Sequence, residues 1–92
     1  MGIRRVMAGA LDLQRDVVLN LPVLHLTGDE RLVVENHVSL REYDGRKIRV
    51  ECSMGTVEIA GENLLVRTMN RDDILITGRI RSLTWQGGAV GP

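Results

Sequence analysis

Glu35, Asn36 and His37 stand side by side between the apolar run Leu32-Val33-Val34 and Val38. A carboxylate, an amide and an imidazole in one place could hold a metal ion or tune a general base. In an uninterrupted strand Glu35 and His37 share a face and Asn36 takes the opposite one. The competing reading is a corner, where Asn36 adopts a left-handed conformation and its side chain bonds its own backbone. The corner is what we expect here. A ligand- or metal-binding module centred on Glu35, Asn36 and His37 remains the alternative to the function given below.

The other reactive side chains offer less. His25 sits inside the apolar run Val23 to Leu26 and reads as a satisfied or edge histidine. Cys52 is the only cysteine, so no intrachain disulfide forms, which suits a reducing compartment. It continues the alternation of Ile48 and Val50, which marks a small core residue rather than a nucleophile. Asp72-Asp73 lacks a third ligand nearby and reads as a turn with an Asp cap. Walker, GxGxxG, HExxH and CxxC patterns are absent, and no Ser or Cys stands in an activating context. No catalytic residue, no metal and no cofactor is expected, and the chain is not read as an enzyme. Arg79 and Arg81, with Arg67, could share a basic face, but Trp85 is the only ring that could join them. A nucleic-acid surface needs more than that, so a solvated face is expected and no nucleic-acid partner. Glu35, Asn36, His37, Arg79, Arg81 and Trp85 are kept as candidate interaction or structural-motif residues.

The elements that must carry these residues follow from composition and period. A chain of 92 residues holds one small core. Twelve basic residues balance twelve acidic ones, and a hydrophobic fraction of 43% excludes wholesale disorder. No apolar run approaches the roughly 18 residues of a membrane-crossing helix. With no Phe and one each of Tyr and Trp, the core must be built from Val, Ile, Leu and Met. Ile3, Val6, Met7, Ala10 and Leu11 fall at helical spacing, which predicts a short helical segment over 1–15. It carries no export-signal pattern, and allows at most peripheral membrane contact.

From Val17 onward the texture is β. Strands are expected near 23–27, 31–35, 38–43, 46–52, 56–60, 63–68, 73–77 and 79–85, with turns near 28, 36, 45, 55, 61, 71 and 78. In Lys47 to Cys52 the alternation is clean, so Ile48, Val50 and Cys52 face in while Lys47, Arg49 and Glu51 face water. Asp44-Gly45 favours a type I′ hairpin turn. Intervals this short exclude parallel crossovers. The expected fold is all-β: an antiparallel meander, roll or small sandwich of seven or eight short strands over 16–86, with a flexible tail at 87–92. A short β-solenoid is the alternative. The expected core is Leu32 or Val33, Val34, Leu40, Ile48, Val50, Val57, Ile59, Leu64, Val66, Ile74, Ile76 and Ile80.

Several segments together carry a family resemblance: Leu13 to Pro22, Leu26-Thr27-Gly28, Val34-Glu35-Asn36-His37, Glu42-Tyr43, Ile48-Arg49-Val50, Gly55, Ile59 to Leu64, and Ile76 to Ile80. On these the chain resembles the YabP/YqfC family of sporulation proteins, most like its YqfC members. Gln14-Arg15 stands where the pattern would have lysine-proline, and other expected lysines are arginines. The resemblance implies a non-enzymatic role in endospore cortex or coat formation in the mother cell, in its cytoplasm or peripherally at the forespore surface or membrane. It implies a protein–protein interaction or assembly module, with the membrane protein YqfD as a candidate partner. It brings no catalytic residues. From the residues themselves, a last strand carrying Ile80, Leu83 and Trp85 beside Arg79 and Arg81, in a chain with one Lys and with Pro22 guarding only the first strand, predicts a homodimer or small homo-oligomer formed through a strand edge.

Overall fold

The computed structural model describes residues 21–88. The expected helix over 1–15 and the end of the tail at 89–92 lie outside these. The described residues form β1 (Val23–Thr27), β2 (Arg31–Glu35), β3 (His37–Tyr43), β4 (Lys47–Cys52), β5 (Gly55–Met69) and β6 (Asp73–Gly87). All six belong to one sheet in the order β1-β2-β6-β5-β4-β3. Every neighbouring pair is antiparallel.

This order forces the sheet to curl. β2 and β3 are four positions apart in it, which is about 19 Å in a flat sheet at about 4.8 Å per strand. Only Asn36 separates Glu35 from His37, and so short a link spans about 7 Å. The curl is made by bending β5 and β6. β2 pairs with β6 only over Asp73–Thr77, and β4 pairs with β5 only over Gly55–Ala60. The sheet therefore has a β1–β2 half, completed by the start of β6 and the end of β5. Its β3–β4 half is completed by the start of β5 and the end of β6.

The bend lies at Gly61 to Leu64 and at Gly78. The β5–β6 register shifts between Ala60 and Gly61 and again between Glu62 and Leu65. Asn63 (φ 55°) and Gly78 (φ 136°) are left-handed there. A Cβ on Gly78 would lie 2.5 Å from the Asn63 carbonyl oxygen, so the strands cross this closely only because position 78 is glycine. Backbone groups lost to the ladder find partners in the flanking turns. Gly61 N donates to Arg46 O (3.0 Å) and Leu64 N to Gly45 O (2.9 Å). On the other side Ile80 N donates to Asp29 O (2.7 Å).

Inner faces of both halves meet in one core. Leu32, Val34, Ile74 and Ile76 from one half, and Ile48, Val50, Val57 and Ile59 from the other, are fully buried. Cys52, Leu64 and Ile80 are nearly so, while Leu40, Val66 and Leu83 pack at the margin. Most of the expected core is observed, with Leu32 rather than Val33 facing in, while Leu40 and Val66 are only partly buried at its margin.

Three expectations change. Segments 56–60 and 63–68 are one strand, as are 73–77 and 79–85, because Gly61-Glu62-Asn63 and Gly78 bend the chain without reversing it. Gly87, expected in the tail, belongs to β6. At Asp44-Gly45 neither residue has positive φ, so the turn is not type I′. Asp44 acts there as an acceptor: its Oδ1 takes the N–H groups of Arg46 (2.7 Å) and Lys47 (2.9 Å), while its own N–H donates to Lys47 O (2.9 Å). These bonds hold the Asp44 carboxyl below its ordinary range, the Arg46 N–H first and the Lys47 N–H second. The antiparallel pairing throughout leaves no place for a solenoid among the described residues.

Candidate functional site

Asn36 is the joint between the two halves. Its φ of 64° breaks the strand, so Glu35 ends β2 and His37 begins β3. The corner expected from the sequence is present, although its side chain does not bond its own backbone. Asn36 Nδ2 donates to Leu21 O (2.6 Å), and its backbone N–H donates to Asp72 O (2.6 Å). The three neighbours are thereby given different surroundings. Glu35 turns to the outer surface of the β1–β2 half, where Oε2 lies 3.1 Å from His25 Nε2 on edge strand β1. His37 pairs in register with Cys52, and its buried Nδ1 has no hydrogen-bond partner among the described residues. Among the described residues no three His, Cys, Asp or Glu side chains are grouped to hold a metal ion. Burial, and secondarily the Glu51 charge, push the Cys52 thiol up, which suits a packed side chain rather than a thiolate.

The outer surface of the β3–β4 half is a lattice of opposite charges. Arg49 lies 3.3 Å from Glu58 and Arg41 lies 3.5 Å from Glu51, which also accepts from Ser39 Oγ (3.1 Å). Arg81, one of the candidate basic residues, lies 3.5 Å from Glu62, and Arg79 is opposite Glu62 in register. The basic face suggested by Arg79, Arg81 and Arg67 is thus split, because Arg67 lies beyond the bend and donates to Thr77 Oγ1 (3.3 Å).

Strand edges distinguish themselves by how well they are closed. β1 is five residues long and follows Pro22. β3 has two register shifts and exposes Arg41 and Glu42, both of which discourage pairing. The end of β5 is capped by Tyr43, whose hydroxyl accepts from Val66 N (3.0 Å). The end of β6 has none of these devices. Beyond Thr77 β2 no longer pairs with it, and from Ser82 to Gly87 its only strand neighbour among the described residues is β5, in unbroken register. The ladder ends with Gly88 N donating to Met54 O (3.1 Å). By alternation, the backbone groups of Leu83, Trp85 and Gly87 face away from β5. Trp85 is 42% exposed. Its ring lies against Gly55, where a Cβ would be 2.6 Å from Cζ2. An open edge and a half-exposed indole therefore occupy the same residues.

The sequence profile of the YabP family matches residues 20–91, which includes every strand described above. The chain belongs to the YabP family. It is 28% identical over 71 residues to a Bacillus subtilis (strain 168) protein named "Uncharacterized protein YqfC", covering 77% of this chain and 76% of that one. No solved structure matches the chain. In this YabP-family chain three of the resembling segments coincide with the joints of the fold: Val34 to His37 is the corner, Ile59 to Leu64 the bend of β5, and Ile76 to Ile80 the bend of β6. No described helix is long and apolar enough to cross a membrane. Two features escaped the sequence reading. Tyr43 as a cap on β5 depends on a contact 23 positions away. The bend as a builder of surface concavity was hidden behind glycines that read as turns.

Proposed function

We propose that this chain is a non-enzymatic assembly module of endospore formation, working in the mother cell where cortex and coat are built. Family membership and the resembling segments support the sporulation setting. The open edge at Ser82–Gly87 supports the assembly mode, and it is the observation that carries the reading. An extended backbone with unmet donors and acceptors recruits another strand. Two copies related by a two-fold axis satisfy both edges at once, antiparallel β6 to β6, with each Trp85 indole at the seam. Six residues a side make a small interface, below the size of a stable obligate dimer, so association depends on concentration. A membrane-associated partner such as YqfD would use the same edge, displacing the second copy.

Light scattering across a dilution series tests the edge. Wild type should shift from monomer to dimer mass near tens of micromolar. Trp85→Lys should remain monomeric, because a charge and a lysine at the edge oppose pairing. Val38→Lys, on the bulged β3 edge, should behave as wild type. A monomer mass at every concentration, or a dimer that survives Trp85→Lys, overturns the edge reading. Deletion of the gene in its spore-forming host should give spores with defective cortex or coat, and normal spores would remove the sporulation reading.

A further inference from the structure

On the outer side of the bend, Thr27, Glu30, Arg31, Asn63, Leu65, Arg67, Thr77 and Gly78 enclose a concavity of about 600 Å³. Arg31 is opposite Thr77 in the β2–β6 register, and Arg67 Nε donates to Thr77 Oγ1 (3.3 Å) from the other side. Arg67 stands in the register shift between Val66 and Thr68, a bulge of the kind that re-aims a side chain. The Arg67 guanidinium thus reaches the Thr77 hydroxyl, and Arg31 and a second hydroxyl, Thr27, share the same lining. Glu30 is the single carboxylate there. Neither arginine is in ion-pair range of it or of any other carboxylate among the described residues, whereas Arg41, Arg49 and Arg81 each have a glutamate. Two cations against one carboxylate leave the lining with a net positive charge that an anion would complement.

We propose that this concavity is a binding site for a ligand bearing an oxyanion, a carboxylate or a phosphate. Guanidinium forks match both, with charge-assisted bonds stronger than neutral ones. The hydroxyls of Thr27 and Thr77 add donors, and the space accommodates a ligand larger than the anionic group alone.

NMR titrations of the full chain with inorganic phosphate and, separately, with acetate test this. They are run on wild type and on Trp85→Lys, so that self-association does not enter the result. Saturable shifts are expected at the amides of Thr27, Arg31, Leu65, Thr77 and Gly78. The anion that saturates at lower concentration identifies the ligand class. Arg67→Gln and Arg31→Gln should each weaken binding by about tenfold or more, the loss of one charged hydrogen bond. Arg49→Gln, on the other half, should leave binding unchanged. Thr77→Val, which keeps the β-branched shape, should weaken it less than either arginine change. Shifts that fail to saturate with both anions up to tens of millimolar overturn the proposal. So does saturable binding that Arg31→Gln and Arg67→Gln both retain.

Discussion

On the β3–β4 half, Arg49 and Arg41 lie 3.3 and 3.5 Å from Glu58 and Glu51. On the β1–β2 half, Arg31 and Arg67 line a shared concavity with Glu30, and neither arginine is in ion-pair range of a carboxylate among the described residues. The two surfaces are built on the same hairpin, β5–β6, and over the same core. Their difference therefore cannot come from packing. It comes from what stands across the strand. In the β3–β4 half the register sets Arg49 opposite Glu58. In the β1–β2 half it sets Arg31 opposite Thr77, and a bulge turns Arg67 toward the same residue. One surface is neutralised by its own sequence and the other is not.

The largest effect should show that the contrast is confined to the surface. Ile48→Ala and Ile76→Ala, one in each half and both fully buried, should each cost about 3 kcal/mol in chemical denaturation and leave a single cooperative transition. Two separate transitions would mean that the halves are independent units and the comparison is one between domains.

A smaller effect belongs to the turn that clamps the bend. The Asp44 carboxyl is held below its ordinary value by the Arg46 and Lys47 N–H groups, so it is a stronger acid folded than unfolded. Its contribution is present above the unfolded value and is lost as pH falls through the lowered folded one. Asp44→Ala should therefore be less stable than wild type at neutral pH. The gap should close in acid melts below about pH 4. A gap that persists unchanged at low pH would exclude the carboxylate as its source.

The smallest effect separates the two surfaces themselves. Arg49→Gln should cost about 0.5 kcal/mol, the usual worth of an exposed pair, and less at high salt. Arg31→Gln should cost nothing, or stabilise slightly by relieving Arg67. If both substitutions destabilise equally, Arg31 has a partner and the contrast fails.

Much of this was legible in the sequence because burial writes a period into a strand. Ile48, Val50 and Cys52 alternate with charged residues, and the register makes that alternation a core face. The corner at Asn36 was legible for a local reason, since a polar residue interrupting two apolar runs favours a left-handed joint. What failed was punctuation. Gly78 and Asn63 mark left-handed backbone, but the same signal serves a reversal and a bend, and only the partner strand decides between them. Asp44-Gly45 failed similarly, because an aspartate can shape a turn through its side chain as readily as through its own φ. The Arg31–Thr77–Arg67 concavity was invisible, as its members lie on three strands and meet only through the β2–β6 and β5–β6 registers.

The β5–β6 hairpin also implies an order of folding. Asn70 closes its turn locally, with N–H to Asp73 O and Nδ2 to Asp73 Oδ1, both 2.8 Å. β3, β4, β5 and β6 then follow one another in sequence and in space. Among the described strands the β2–β6 ladder alone joins distant stretches, bringing Arg31–Glu35 onto Asp73–Thr77 across some forty residues of chain. Closing that loop is the slow, entropically costly step, and a transition state that contains the four-strand run but not yet β2 follows. Val57→Ala should then slow refolding, while Leu32→Ala should act chiefly by speeding unfolding. The strand that docks last is the one that completes the Arg31 side of the concavity, so an intermediate without β2 would already display the β6 edge before the concavity exists.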